Sequence, residues 1–241
     1  MTYQAITLDT VDSTMAEAAR RMEAVTGPTW IMARQQTEAR GRRGRAWSMP
    51  PGNFAATLIL PLSDPPDRAA LRSFVAALAL ADAFAATTGR TDPFTLKWPN
   101  DVLLNGGKVA GILLERHGLT SPLLIGIGVN LATAPGVGEV EARAARPVAL
   151  ASATGTTIAL EDFLDALAPA FATREDAFRT YGFDPIRTAW LARAARLGEV
   201  ITARTATSET TGTFDTVDNQ GCLVLNTAKG RVTIPAADVY F

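Results

Sequence analysis

The stretch Lys97-Trp98-Pro99-Asn100-Asp101-Val102-Leu103-Leu104-Asn105-Gly106-Gly107-Lys108-Val109-Ala110-Gly111-Ile112-Leu113-Leu114-Glu115 sets a stiff polar turn and a hairpin around a lysine in an otherwise apolar run. Asn105-Gly106 is a strong two-residue hairpin signal, so the segments on either side read as antiparallel strands. A core strand does not normally carry a lysine, and Lys108 therefore asks for a negatively charged partner. Taken alone, Lys108 reads by default as an ordinary hairpin lysine with its head in solvent. Trp98-Pro99 alone is equally core packing, and Asn100-Asp101 an Asx turn.

Outward from this hairpin, Thr95 to Trp98 and Asp101 to Leu104 read as short strands, and Val109 to Leu114 and Leu123 to Leu131 as two more. Trp30 to Ala33 and Phe54 to Leu60 supply further strands. An Ala/Leu-rich segment from Asp67 to Thr88 predicts a long helix ended by Gly89. Asp12-Ser13-Thr14 predicts a helix start, with Thr14 and Glu17 at capping-box spacing and Ser13 and Thr14 at its exposed mouth. Glu161 to Tyr181 puts Phe163, Leu167, Phe171 and Phe178 on one helical face, with Pro169 expected to kink or split it. Asp184-Pro185 predicts another helix start, and Gly198 its end. From Glu199 the texture changes to short Val/Ile/Thr runs broken by Asp218-Asn219-Gln220-Gly221 and Ala228-Lys229-Gly230, a β module of about five strands. The chain divides accordingly into residues 1–197 and 198–241.

The 241 residues are enough for a well-buried core, and 47% hydrophobic with 20% charged residues argues against disorder. A net charge of -1 gives no general attraction for nucleic acid or acidic membranes, so any anion site must be local. One cysteine and one histidine leave no disulfide framework and too few ligands for zinc, and no fixed metal site is expected. The N-terminus lacks a secretory pattern, and the apolar run Phe74 to Ala86 falls short of the roughly 20 residues that span a bilayer. A cytoplasmic, soluble protein is expected.

Arg40-Gly41-Arg42-Arg43-Gly44-Arg45-Ala46-Trp47 packs four arginines and two glycines into six residues and follows them with an indole. Glycine lets backbone N–H groups approach an anion, and arginine pairs with carboxylate or phosphate through a planar fork. A phosphate-bearing ligand suits this loop; a solvated basic loop or a nucleic-acid patch is the plainer reading.

Taken together, Lys97 to Asp101, Lys108 to Glu115, the Arg/Gly loop ending in Trp47, the Asp12-Ser13-Thr14 start and Gly126-Ile127-Gly128-Val129-Asn130 resemble the biotin protein ligases, in the same order and at similar spacing. The resemblance is strong over residues 8 to 135 and weaker over the C-terminal module. It implies an α+β fold: a mixed-sheet catalytic domain of the class II synthetase-like biotin/lipoate ligase kind, flanked by helices, then a small SH3-like β-barrel. Relatives often carry an N-terminal DNA-binding domain; with the catalytic start at residue 12, a monofunctional ligase that does not bind DNA is expected.

The resemblance also implies roles. Ser13, Thr14, Gln36 and the backbone near Arg40 match positions that hold the ureido end of biotin. Arg40, Gly41 and Arg42 match the loop that closes over the carboxylate and α-phosphate. Arg45 and Trp47 match the adenylate side. Lys108 matches the lysine that contacts both anions and, with Arg42, is assigned to catalysis. Gly111 lets biotin lie against its strand. Asn130 joins the nucleotide set, with Trp98, Asn100 and Asp101 as supports. The implied reaction consumes ATP with Mg²⁺, forms biotinyl-5′-AMP and passes biotin to a lysine of a biotin carboxyl carrier protein. Ala39 departs from the family's usual glycine and Met15 from its usual asparagine. The alternatives are a lipoate or octanoate ligase of the same fold, which would lack the Trp98-Pro99-Asn100-Asp101 match, and a nucleic-acid-binding regulator using the arginine loop. Open sheet edges leave room for a partner strand or a second copy of the chain, a homodimer.

Overall fold

The computed structural model describes residues 2–136, 145–205 and 207–241. Seven strands, β1 (Gln4–Val11), β2 (Thr29–Gln36), β3 (Phe54–Leu60), β4 (Phe94–Lys97), β5 (Asp101–Leu104), β6 (Gly107–Arg116) and β7 (Leu123–Val129), form one mixed sheet in the order β1-β2-β3-β7-β6-β5-β4. Only β1 and β2 pair in parallel. The sheet's apolar side chains fall into two sets because strand residues alternate faces. On one face Ile31, Ile59 and Leu124 pack with Met15 and Ala18 of α1 (Thr14–Arg21). On the other, the main core joins the sheet to α3 (Arg72–Thr88), α5 (Leu160–Tyr181) and α6 (Phe183–Leu191). Two short helices, α2 (Pro66–Ala70) and α4 (Leu150–Thr154), complete the set.

Several boundaries move from their expected places. The α1 cap is Ser13, whose Oγ accepts from the Met15 N–H at 3.2 Å. Glu17 does not reach back to close a capping box; it pairs with Arg20 and Arg21. Thr14 is thereby free to turn inward. Helix α5 runs unbroken through Pro169. Its buried Phe163, Leu167, Phe171 and Phe178 each contribute about 1.5–3 kcal/mol, which together exceeds the roughly 3 kcal/mol a mid-helix proline costs. Helix α6 begins at Phe183 because that ring packs edge-on to Phe74 at 5.1 Å, so Asp184 and Pro185 fall inside the first turn instead of capping it. It stops at Leu191, well before Gly198, because Arg193 and Ala195 leave the helix to hydrogen-bond Leu96 on the edge of β4. The stretch Pro66–Thr88 is by length and composition apolar enough to cross a membrane, longer than the run Phe74 to Ala86 alone, but it is mostly buried in this core.

The C-terminal residues form a five-stranded antiparallel sheet of β8 (Val200–Arg204), β9 (Glu209–Val217), β10 (Leu223–Thr227), β11 (Gly230–Ile234) and β12 (Asp238–Tyr240), ordered β11-β10-β9-β8-β12. It is fastened to the larger sheet by the turn from Lys97 to Asp101. Trp98, nearly fully buried, donates from Nε1 to the Gly221 carbonyl at 3.0 Å, and Gly221 leaves no space for a side chain beside Leu71 and Phe74.

Candidate active site

One transverse row of cross-strand partners decides where a ligand can lie. Leu8, Ala33, Ala55, Gly128, Gly111, Asp101 and Lys97 stand opposite one another from β1 to β4 and so share a face. The four central members have a methyl group or less, which sinks a trough into the sheet. A neighbouring row, Thr57, Gly126 and Leu113, widens it. The resulting cleft holds about 450 Å³.

The lysine that broke the apolar pattern is delivered to this face by a β-bulge. Val102 pairs with Ala110 but Leu103 pairs with Lys108, so Val109 is an extra residue in β6. Strict alternation would send Lys108 to the helix-covered face; the bulge turns it into the trough while Val109 and Ala110 stay buried. Its Nζ lies 2.7 Å from Asp101 Oδ1 and 5.4 Å from the centre of the Trp47 ring. Asp101 is the negative partner that the sequence demanded.

The turn before Asp101 is pinned on three sides. Asn100 Nδ2 donates to the Ile112 carbonyl at 2.7 Å, Asn100 Oδ1 accepts from Arg42 at 3.2 Å, and Ser73 Oγ donates to the Pro99 carbonyl at 2.8 Å. Asn130, buried at the end of β7, has no hydrogen-bond partner for Oδ1 among the described residues, beside the trough.

The far end of the trough is neutral. Ser13 and Thr14 are buried, contrary to the exposed mouth expected of them, because the one-residue shift of the cap folds Thr14 under the sheet. Gln36 Oε1 accepts from the Thr14 N–H at 2.7 Å and from its Oγ1 at 3.1 Å, and Thr57 Oγ1 donates to Thr14 Oγ1 at 2.9 Å. Among the described residues Gln36 Nε2 is met only by the Met49 thioether at 3.2 Å, a weak acceptor that a ligand carbonyl can replace. Met15 walls this end, its Cε packed so closely on Gly126 that a Cβ there would come within 2.8 Å.

The arginine loop folds over the trough as a small hairpin, with Gly41 N–H donating to the Arg45 carbonyl at 2.7 Å and Trp47 N–H to the Ala39 carbonyl at 2.9 Å. Arg43 and Gly44 take the positive φ values; Ala39 does not, so the alanine at that position carries no backbone strain. Trp47 rests on the paired glycines: a Cβ on Gly128 would lie 2.7 Å from the indole, and one on Gly111 3.2 Å. Arg40 pairs with Glu115 at 3.2 Å. Sequence reasoning missed Asp238, on the C-terminal module, which binds Arg43 and Arg45 at 2.8 Å each and lies 3.8 Å from Arg42. Burial alone would raise its pKa, but the hydrogen bond from Arg45 and the charges of Arg45, Arg43 and Arg42 outweigh that and hold it below the usual carboxylate range. Burial also lowers the Arg42 guanidinium from its ordinary value, with Asp238 and Asp101 opposing. Nothing in the local sequence around Asp238 marks it, since its partners lie nearly the whole chain away.

The structure therefore gathers Ser13, Thr14, Gln36, Arg40, Gly41, Arg42, Arg45, Trp47, Asn100, Asp101, Lys108, Gly111 and Asn130 around one cleft, with Trp98 outside it as a fastening. Among the described residues no group of three or more His, Cys, Asp or Glu side chains is placed to hold a metal.

A trough with a neutral, hydrogen-bonding end and a cationic end under an arginine loop defines a binding site for a molecule that carries a polar neutral head and an acid group. Residues 7–131 match the biotin/lipoate A/B protein ligase family, and residues 197–241 match the biotin protein ligase C-terminal domain. The chain is 54% identical to a biotin–[acetyl-CoA-carboxylase] ligase of Paracoccus denitrificans over 95% of its length and 97% of that protein. It is 32% identical to the bifunctional ligase/repressor BirA of Bacillus subtilis over 88% of its length and 65% of that protein. Its fold superposes on a biotin protein ligase from Aquifex aeolicus in complex with biotin and ATP with a TM-score of 0.84, at 26% identity and 98% coverage of both chains. The chain belongs to the biotin/lipoate A/B protein ligase family.

Proposed function

We propose that this protein is an ATP-dependent ligase that activates biotin as biotinyl-5′-AMP and transfers it to a lysine of a biotin carrier domain, the acceptor being a subunit of acetyl-CoA carboxylase. The observation that carries this reading is the polarity of the trough, supported by the family and by relatives named for the same activity. The ureido head of biotin pairs with the Ser13, Thr14 and Gln36 end, and its carboxylate reaches Lys108. Two strand spacings, roughly 10 Å, separate β3 from β6 across that distance.

Adenylate formation needs no protein nucleophile. It needs two anions brought together and the developing phosphoryl charge stabilised, tasks that fall to Lys108 and Arg42, with Arg40 and Arg45 closing behind. Trp47 covers the adenylate side, and its loop keeps water from the mixed anhydride. Asn130 Oδ1 and Asp101 offer oxygen donors suited to the magnesium that accompanies ATP, whose charge offsets that of the phosphates. The carrier lysine then attacks the anhydride carbonyl and AMP leaves. A lipoyl or octanoyl chain would strand the Gln36 and Thr14 hydrogen-bonding groups against hydrocarbon, which disfavours the lipoate alternative. With no net positive charge the arginine loop serves this site and not nucleic acid, and the protein works in the cytoplasm. Incubation with biotin, MgATP and a biotin carrier domain, followed by mass measurement, tests the reading: one biotinyl group added to the carrier is expected, and an unmodified carrier would sink it.

A further inference from the structure

The ladder between β3 and β7 ends at Phe54 and Val129, and just beyond it a side chain takes over the pairing. Asn53, only 1% exposed, accepts at Oδ1 from the Ala132 N–H at 3.0 Å and the Thr133 N–H at 3.2 Å, and donates from Nδ2 to the Thr133 carbonyl at 2.8 Å. Its carboxamide stands in for a strand peptide, one acceptor and one donor engaged together. The same two segments touch again beside it: Gly52 takes a φ of 84°, and a Cβ there would come 2.9 Å from that of Ala132. Each clamped segment carries a group of the cleft. The one that ends at Asn53 begins at Trp47, which rests on the glycine pair, and the other begins at Asn130 with its unpartnered Oδ1. Asn130 is held on its remaining sides by β6 and α4, its N–H donating to the Val109 carbonyl at 2.8 Å and its carbonyl accepting from the Leu150 N–H at 2.9 Å. Asn53 itself stands behind these groups, outside the cleft lining.

We propose that Asn53 is a positioning residue for the nucleotide: it fixes the Trp47 segment against the Asn130 segment and so sets the width of the adenylate end of the cleft. The assignment rests on the ligase reading, which puts ATP between these two groups. A purely structural role does not account for the clamp. Ala132 and Thr133 are exposed, so water can satisfy their N–H and carbonyl groups when the amide is absent. Burying a carboxamide carries a desolvation cost that an apolar side chain here would not, and what its three hydrogen bonds secure is the place of a surface segment. The neutral end of the cleft is fixed separately, by the bonds that Gln36, Thr14 and Thr57 make among themselves. Its hydrogen-bonded link to the clamped segment, among the described residues, is the weak thioether contact at Met49. Loosening Asn53 therefore widens the nucleotide end and leaves the biotin end as it is.

The test uses the full chain and measures KM for ATP in adenylate formation, calorimetric binding of α,β-methylene-ATP with magnesium, and biotin affinity. Asn53→Leu removes all three hydrogen bonds at similar volume, so KM for ATP should rise about tenfold and analogue binding weaken about tenfold, with biotin affinity within about twofold of the unaltered chain. Gly52→Ala leaves Asn53 in place and presses on Ala132 from beside it. It should move both nucleotide readouts in the same direction, and it keeps the test decisive if Asn53→Leu does not fold. Unaltered KM for ATP and analogue affinity in a folded variant, or an equal loss of biotin affinity, overturns the proposal. An unaltered chain that binds the analogue but makes no biotinyl adenylate overturns the ligase reading instead, and the clamp then stands or falls on analogue binding in the two variants.

Discussion

Asp238 accepts a hydrogen bond from Arg45 at 2.8 Å across a separation of 193 residues, so the last strand of the small module holds the loop that covers the cleft of the large one. Asp238→Ala should release Arg43 and loosen Arg45, slow adenylate formation about tenfold, and speed tryptic cleavage within residues 40–45. The scale follows from roughly 1.5–3 kcal/mol for hydrogen bonds to charged groups, reduced because the arginines are partly exposed. Unchanged cleavage kinetics would remove the latch.

The same carboxylate predicts a pH response. Its folded pKa is depressed, so the stabilisation it gives the loop is present above the unfolded carboxylate value near 4 and is lost as pH falls through the lower, folded value. Trp47 fluorescence should therefore stay constant from pH 8 to about 5 and change only in stronger acid, whereas Asp238→Ala should show the open-loop signal at neutral pH.

Lys108→Ala should reduce adenylate formation by about 10² to 10³, the range for losing one preorganised charge stabiliser, with the fold retained. Pyrophosphate release at the unaltered rate would take Lys108 out of the reaction.

Gly128→Ala places a methyl group 2.7 Å from the Trp47 indole. The ring must move, so KM for ATP should rise about tenfold or more while the thermal midpoint changes little. Gly128 does not have positive φ, which separates this steric effect from backbone strain.

Arg72 and Glu175 are both almost wholly buried and paired at 2.7 Å, with Asp64 also at 2.7 Å from Arg72. Arg72→Met removes the cation that offsets the burial of the Glu175 carboxyl and should cost about 3–5 kcal/mol in urea unfolding. A loss under about 1 kcal/mol would mean that the pair's desolvation cancels its attraction.

Much of this architecture is legible in the sequence because its signals are local. Asn105-Gly106 takes positive φ at both positions, as the hairpin requires, and Gly89 ends α3 in the left-handed conformation. The misplaced ends of α1 and α6 have tertiary causes: Thr14 is drawn in by Gln36 and Thr57, Phe183 by Phe74, and Arg193 and Ala195 by the edge of β4. The bulge at Val109 leaves only a weak trace, a lysine out of phase with its apolar neighbours. Trp98 reads as packing and is packing, but its partner is the other module, which no spacing rule could supply.

The floor of the cleft is made by what Ala55, Gly128 and Gly111 lack. Each comes from a different strand, so three distant codons jointly keep one groove clear, and the mutations most harmful there add atoms and remove none. A gained methyl group at these positions would leave a well-folded, well-expressed protein whose binding site is simply filled, a lesion that screens for stability would pass over.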